Sequence, residues 1–146
     1  MTAPAQDELT ELLRQKGVRV TPQRVAVLAE LAREADDATA QQLWQRLRES
    51  GNTLIGVATV YRTLAVLVDH RVIDVLAHHG HEHCYRLCTD AHHHHLLCDR
   101  CHKVVEIHEC DLGGWIDSVA ARHGFLATEH KLEITGRCAA CREAAA

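Results

Sequence analysis

The chain has 146 residues, about one domain's length, with 47% apolar residues, only 3% aromatic ones and a formal charge of -4. It has no apolar run of about 18 residues, and its opening stretch, MTAPAQDELTELLRQKG, lacks a basic-then-apolar leader pattern, so the expectation is a cytoplasmic protein with no membrane partner. The negative charge argues against a uniformly basic nucleic-acid binder but is unevenly spread: RQKGVRVTPQR, residues 14–24, holds four basic residues and no acidic one, and twelve of the thirteen histidines follow residue 77. Bound divalent cations would offset much of the remaining negative charge.

Four helices are expected first. DELTELLRQKG ends at Gly17; TPQRVAVLAELARE opens with Thr21 as N-cap and Pro22 at the first helical position, with Val25, Leu28, Leu31 and Ala32 as its apolar stripe. TAQQLWQRLRESG directs Leu43, Trp44 and Leu47 inward and stops at Gly51. ATVYRTLAVLVDH places Val60, Leu64 and Leu67 on one face and turns Tyr61 and Arg62 away from it. RVIDVLAHHGHEHCYRLC then reads as a two-stranded hairpin, Val72 to Leu76 and a return around Tyr85 and Leu87, with a tip from His78 to His83. Compact helices followed by such a hairpin describe a winged helix, whose last helix enters the DNA major groove; a helical bundle with an appended hairpin is the alternative. The second half has strand-like runs at HLLC, KVVEIH and KLEITG, with a helix, LGGWIDSVAARHG, before the last of them. Ile116, Val119 and Ala120 are its expected buried stripe and Gly124 its stop. Such a small module has two open sheet edges, one of which a second copy could cover. The fold class is α+β, with a first domain over residues 1–87, a hinge at 88–91 and a second domain over 92–146.

Seven cysteines, an odd number, in a chain of this kind point to metal ligation rather than a disulfide framework. Cys98-x-x-Cys101 with Cys138-x-x-Cys141 lets four thiolates converge tetrahedrally, which suits a structural zinc. Neither motif opens a helix after a strand, as a redox CxxC would. In an extended strand the run His92 to His95 sends His92 and His94 to one side and His93 and His95 to the other, so consecutive histidines serve two sites. A solvated His-rich loop is the competing account, and it does not explain why Cys98 follows at once. Cys84 and Cys110 are expected to be buried as small apolar residues, His123 to favour a helix C-terminus, and the wing-tip histidines 78, 79, 81 and 83 to be solvated.

The segments TPQR, ATVYRTL, HHHHLLCDRC, VVEIHE, RHGF and GRCAAC together resemble the ferric uptake regulator family over nearly the whole chain, and most closely its zinc uptake regulator branch. The resemblance implies an N-terminal winged-helix DNA-binding domain followed by a small α/β dimerisation domain, acting as a homodimer on operator DNA. It implies a regulatory zinc held by Asp74, Cys88, His93 and His95, a thiolate–imidazole–carboxylate set that favours zinc over Fe(II) or Mn(II). It also implies a third site from His92, His94 and His130, where Gly113 stands in place of the family's glutamate. Weak or altered occupancy is therefore expected there, with Glu109, Cys110 or Asp111 as candidate replacements. The cofactor expected is zinc, two or more ions per subunit.

On this reading Tyr61 and Arg62 contact bases, Thr59 holds a phosphate or the helix start, and Arg19 and Arg24 touch phosphates or the minor groove. The regulatory cation would lock the two domains in the arrangement that fits successive major grooves. An iron- or manganese-responsive regulator of the same family and a zinc storage or chaperone protein remain as alternatives. An enzyme is not expected, because no H-E-x-x-H or comparable motif provides an open zinc with a base beside it.

Overall fold

A computed structural model describes residues 5–33, 37–77, 82–88 and 92–144. The chain divides into two compact units, residues 1–88 and 89–146. The wing-tip histidines 78, 79 and 81 and hinge residues 89–91 lie outside the described residues.

The first unit is built from helices α1 (Gln6–Gln15), α2 (Pro22–Ala32), α3 (Ala40–Glu49) and α4 (Val57–Asp69) and strands β1 (Ala38–Thr39), β2 (Ile73–Ala77) and β3 (His83–Leu87). Thr21 caps α2 by accepting from the Arg24 N–H at 3.3 Å, with Pro22 at the first helical position. Thr39 and Gln42 form a reciprocal capping box on α3, with bonds of 2.9 and 3.2 Å. Gly17 and Gly51 close α1 and α3 with φ of 70° and 91°, a region that costs glycine little.

Leu9, Leu13, Val27, Leu28, Leu31, Leu43, Leu47, Val60, Leu64 and Leu67 are buried together, so each helix contributes its apolar stripe to one core. Two details differ from the periodicity. In α2 Val27 joins Leu28 and Leu31 in the core, whereas Val25 is only partly covered. In α3 Trp44 is half-buried, donating through Nε1 to the Ile55 carbonyl at 3.1 Å and carrying the Arg48 guanidinium over its ring, because an indole N–H needs a partner when it leaves water. Glu30, buried in α2, accepts from Arg33 at 3.1 Å and from the Ser50 hydroxyl at 3.0 Å, tying α2 to the end of α3.

The wing is a three-stranded sheet of order β1-β3-β2, not a two-stranded hairpin. Thr39 pairs with Cys84 as well as capping α3, so two residues anchor the wing to the helices. Ile73 pairs with Leu87 and Asp74 with Arg86, and the ladder continues where Cys88 N–H donates to the Val72 carbonyl at 3.1 Å. Strand alternation therefore sends Asp74 and Cys88 to one face of the wing.

The second unit has a sheet of order β5-β4-β6: β4 (His94–Cys98) is central, antiparallel to β5 (Val104–Ile107) and parallel to β6 (Glu133–Gly136). Helices α5 (Gly113–Arg122) and α6 (Ala139–Glu143) flank it, and α6 was not foreseen from the sequence. Gly124, at φ 75°, follows α5, and His123 is its C-cap. In contrast to the expected buried stripe, α5 has no fully buried residue: Ile116, Val119 and Ala120 are half-covered and Trp115 is exposed. Leu96 pairs with Val105 on one side and Ile134 on the other, so these three form an apolar row across one face of the sheet. They are 39%, 42% and 43% exposed, and Phe125 and Leu126 are more exposed still. The only fully buried apolar side chains of this unit's described residues are Leu97, Cys98 and Val104.

Leu64 has no exposed surface at the centre of the first unit's core. Leu64→Ala is expected to lower the stability of that unit by about 2–5 kcal/mol, read as a fall in the urea midpoint of its circular-dichroism transition at unchanged slope.

Candidate metal centres

The topology of the second unit brings ligands to the two ends of one strand. At the start of β4, His94 pairs with Ile107, the last residue of β5, while His95 pairs with Glu133, the first of β6. Chain just before β4, just after β5 and just before β6 therefore meets at one end of the sheet. At the other end Leu97 pairs with Val104 and Cys98 with Gly136, so the turn after β4 meets the chain leaving β6.

At that second end, Cys98, Cys101, Cys138 and Cys141 bring four sulfurs within 4.8 Å of one another. Tetrahedral zinc with bonds of about 2.3 Å needs neighbouring sulfurs about 3.8 Å apart, and Cys101 and Cys138 stand at 3.6 Å. The spacing fits the ion. The turn after Cys98 is closed by Cys98 N–H to the Lys103 carbonyl and His102 N–H to the Cys98 carbonyl, with His102 at φ 59°. Contrary to the expectation that neither CxxC opens a helix after a strand, Cys138 caps α6 directly after β6, because the chain leaving β6 turns into that short helix. The convergence of its motif with Cys98 and Cys101 is what points to a metal, and the Cys138 N–H donates to Cys98 Sγ at 3.4 Å. Arg137 grips Asp99 through two 3.2 Å bonds, joining the residues next to each knuckle. Backbone N–H groups, that of Cys138 foremost, draw the Cys98 thiol down to about 6, whereas burial, followed by its sulfur neighbours, pushes Cys141 up to about 12. The fold alone thus favours the thiolate at Cys98 and disfavours it at Cys141, where a bound cation would supply the missing stabilisation.

At the first end the four histidines split. His92 and His94 have ring centroids 4.6 Å apart and their Nε2 atoms 3.2 Å apart, and His130 stacks edge-on to His92 at 4.5 Å. His93 and His95 form a separate pair at 4.9 Å. His94 is buried; desolvation first, then the neighbouring imidazoles, lower its pKa, which favours the neutral ligating form. The structure also brings in Cys110, whose Sγ lies 3.2 Å from His130 Nε2. Cys110 is therefore not simply a buried apolar residue: of the three replacements expected for the Gly113 position, Glu109, Cys110 and Asp111, it is the one that joins the histidines. The signal that could have found it is the antiparallel pairing of HLLC with VVEI, which carries residue 110 back to the histidines. Glu109 and Asp111 are exposed and do not belong to this group, and Gly113 opens α5.

In the first unit, Asp74 lies within β2 and Cys88 directly follows β3. Cys84 is buried, and desolvation followed by Asp37 pushes its thiol up to about 12, so it stays protonated and inert. On α4, Tyr61 is 49% exposed and Arg62 is exposed, donating to Thr59 Oγ1 at 3.3 Å. Arg19 is exposed, and Arg24 is held by donating to the Arg19 carbonyl at 2.7 Å. Leu54, at 99% exposure, lies just before this helix.

Residues 15–135 match the model of the ferric uptake regulator family. The zinc uptake regulation protein of Mycobacterium tuberculosis is 40% identical over 126 residues, covering 86% of this chain and 96% of that protein. The ferric uptake regulation protein of Shigella flexneri is 36% identical over 135 residues, covering 90% of each. Among solved structures, a zinc uptake regulator complexed with zinc and DNA superposes with a TM-score of 0.75 at 28% identity, covering 97% of this chain and 98% of that one.

With so few buried apolar residues in the second unit, the four-cysteine cluster is expected to decide whether it folds. Cys138→Ala should lower the zinc content by one ion per subunit and expose residues 89–146 to limited proteolysis. The first unit, with its own core, should remain protected, as mapped by mass spectrometry of the fragments.

Proposed function

We propose, from the premise that this chain belongs to the ferric uptake regulator family, that it is a transcriptional repressor which grips operator DNA as a homodimer when loaded with zinc and so controls zinc uptake genes. The observation that carries the choice of zinc is the donor set. Asp74 and Cys88 share one face of the wing, and His93 and His95 pair on the side of β4 opposite His92 and His94. A carboxylate, a thiolate and two imidazoles make a moderately soft tetrahedral set, which suits zinc better than the oxygen-rich octahedral sites that manganese or iron prefer. The match to a zinc uptake regulation protein supports the same reading. An iron-responsive regulator is the second reading, supported by the 36% identity to a ferric uptake regulation protein.

Zinc, when bound, supplies two positive charges and four directed bonds. Asp74 and Cys88 would supply the two anionic donors of that set. Joining them to His93 and His95 ties the winged helix to the second domain across a hinge at residues 88–91. Dimers held in the DNA-competent arrangement need no further ordering on binding, so affinity rises with the fraction so held, and by linkage operator DNA tightens zinc binding. The first unit, residues 1–87 on this reading, acts as the DNA-binding domain. Arg62 on α4 is suited to guanine O6 and N7, and Tyr61 to thymine methyls; Thr59, Arg19 and Arg24 position the phosphates. The exposed row Val105, Leu96 and Ile134, with Trp115, Phe125 and Leu126 nearby in sequence or on the same unit, is the apolar surface that a second copy would cover. A zinc store would have no use for α4's exposed Tyr61 and Arg62.

Gel-shift titrations with Zn(II), Mn(II) and Fe(II) test this reading. Zinc should promote binding at lower free concentration than the other two, and Cys88→Ser should lose the zinc response while sedimentation still reports a dimer. A zinc response equal to the parent's in Cys88→Ser would refute the ligand assignment. Arg62→Ala should weaken specific binding by about 1–3 kcal/mol with zinc stoichiometry unchanged.

A further inference from the structure

We propose that Cys110 is a ligand in its own right, completing His92, His94 and His130 into a closed, four-coordinate zinc site in which a thiolate stands where the family resemblance calls for a carboxylate. The inference rests on the reading of the His92 cluster as a metal site. It is independent of the Asp74 and Cys88 assignment.

Geometry carries it. The four ligand atoms, three imidazole nitrogens and one sulfur, all lie within 4.8 Å of one another. With zinc–nitrogen bonds of about 2.0–2.1 Å and a zinc–sulfur bond of about 2.3 Å, tetrahedral neighbours should be about 3.3 Å apart for two nitrogens and about 3.6 Å for nitrogen and sulfur. The contacts are 3.2 Å for His92 to His94 and 3.2 Å for Cys110 to His130, within a few tenths of an ångström of those values. His94 is buried and Cys110 and His130 are half-buried, so lone pairs converge in a partly dry place where only a cation or shared protons can reconcile them.

Topology explains why Cys110 takes the role that Gly113 cannot. Gly113 has no side chain, and a Cβ built there would meet nothing within 4 Å. Residue 110 lies three positions past Ile107, whose partner is His94, and residue 130 lies three positions before Glu133, whose partner is His95. The two segments therefore leave the sheet at the same end and frame the histidines. With four protein ligands the cation keeps no open position for water, so the site is structural in kind. It also prefers thiophilic, tetrahedral ions over manganese or iron. Its further consequence is mechanical: Cys110 stands three residues before α5, a helix with no buried side chain of its own, and the bond to the cation anchors the start of that helix to the sheet.

The test uses cobalt(II) as the spectroscopic probe on the full-length chain with its four-cysteine zinc retained and Cys88→Ser as background, which removes the other single-thiolate site. One cobalt per subunit should bind with tetrahedral visible bands and a near-ultraviolet thiolate-to-cobalt band. Cys110→Ala should abolish the thiolate band and weaken cobalt binding by more than the roughly 10–100-fold that loss of a supporting residue costs. Cys110→Ser, nearly isosteric, guards against a folding defect and should lose the same band. An unchanged band and affinity in both Cys110 variants, with the band lost in His92→Ala, would overturn the Cys110 assignment and leave the cluster standing. A band indifferent to His92→Ala as well would overturn the cluster.

Discussion

The second unit depends on the convergence of unlike chain segments at the two ends of β4. That strand is central in a three-stranded sheet, and its immediate partners begin or end where it does. One end gathers imidazoles and a thiol; the other gathers four thiols. Between them only Leu97, Cys98 and Val104 are fully buried apolar side chains among the described residues. Apolar burial at about 25 cal/mol per Å² from so few side chains does not offset the backbone entropy of ordering more than fifty residues. Structural zinc contributes on the order of 10 kcal/mol of apparent binding free energy, comparable to the whole stability of a small domain. A metal held at these clusters would take the place of a core.

The first unit solves the same problem by ordinary means. Four helices each give an apolar stripe to a shared interior, and caps at Thr21 and Thr39 satisfy the backbone where α2 and α3 begin. The contrast explains why the histidines and the tetrahedral cysteines concentrate where leucines are scarce. It also separates two kinds of thiol. Cys84, in the first unit, is driven to about 12 by burial and Asp37, and behaves as a small apolar residue. Cys98 is drawn to about 6 by converging N–H groups, which prepares it as a ligand.

Strand alternation links the fold to regulation. His92 and His94 pair on one side and His93 and His95 on the other, so a single run of four histidines offers its rings to two separate groups of candidate ligands. The face that carries His94 and Cys98 also carries Leu96, and across it Val105 and Ile134. That face is bordered at both ends by clusters of candidate ligands and left apolar and exposed in the middle. These are the properties that a self-complementary interface needs.

Features that rest on local spacing are legible in the chain before it folds. The helix start at Thr21 and Pro22, the stripe of Val60, Leu64 and Leu67, the strand-like runs HLLC, KVVEIH and KLEITG, and the grouping of the two CxxC motifs are all set by neighbours within a few residues or by the spacing of two matched knuckles. Local reading also had its errors: Val25 in place of Val27, the half-covered Trp44, the unseen β1 and α6, and the buried stripe expected for α5. Each depends on what packs against an element rather than on the element's own period. For the third cluster, local reading left Glu109, Cys110 and Asp111 as equal candidates. The choice of Cys110 comes from the register of β5 against β4 and of β6 beside it. Register is a property of pairing between distant segments, and it alone brings residues 92, 94, 110 and 130 within reach of one ion.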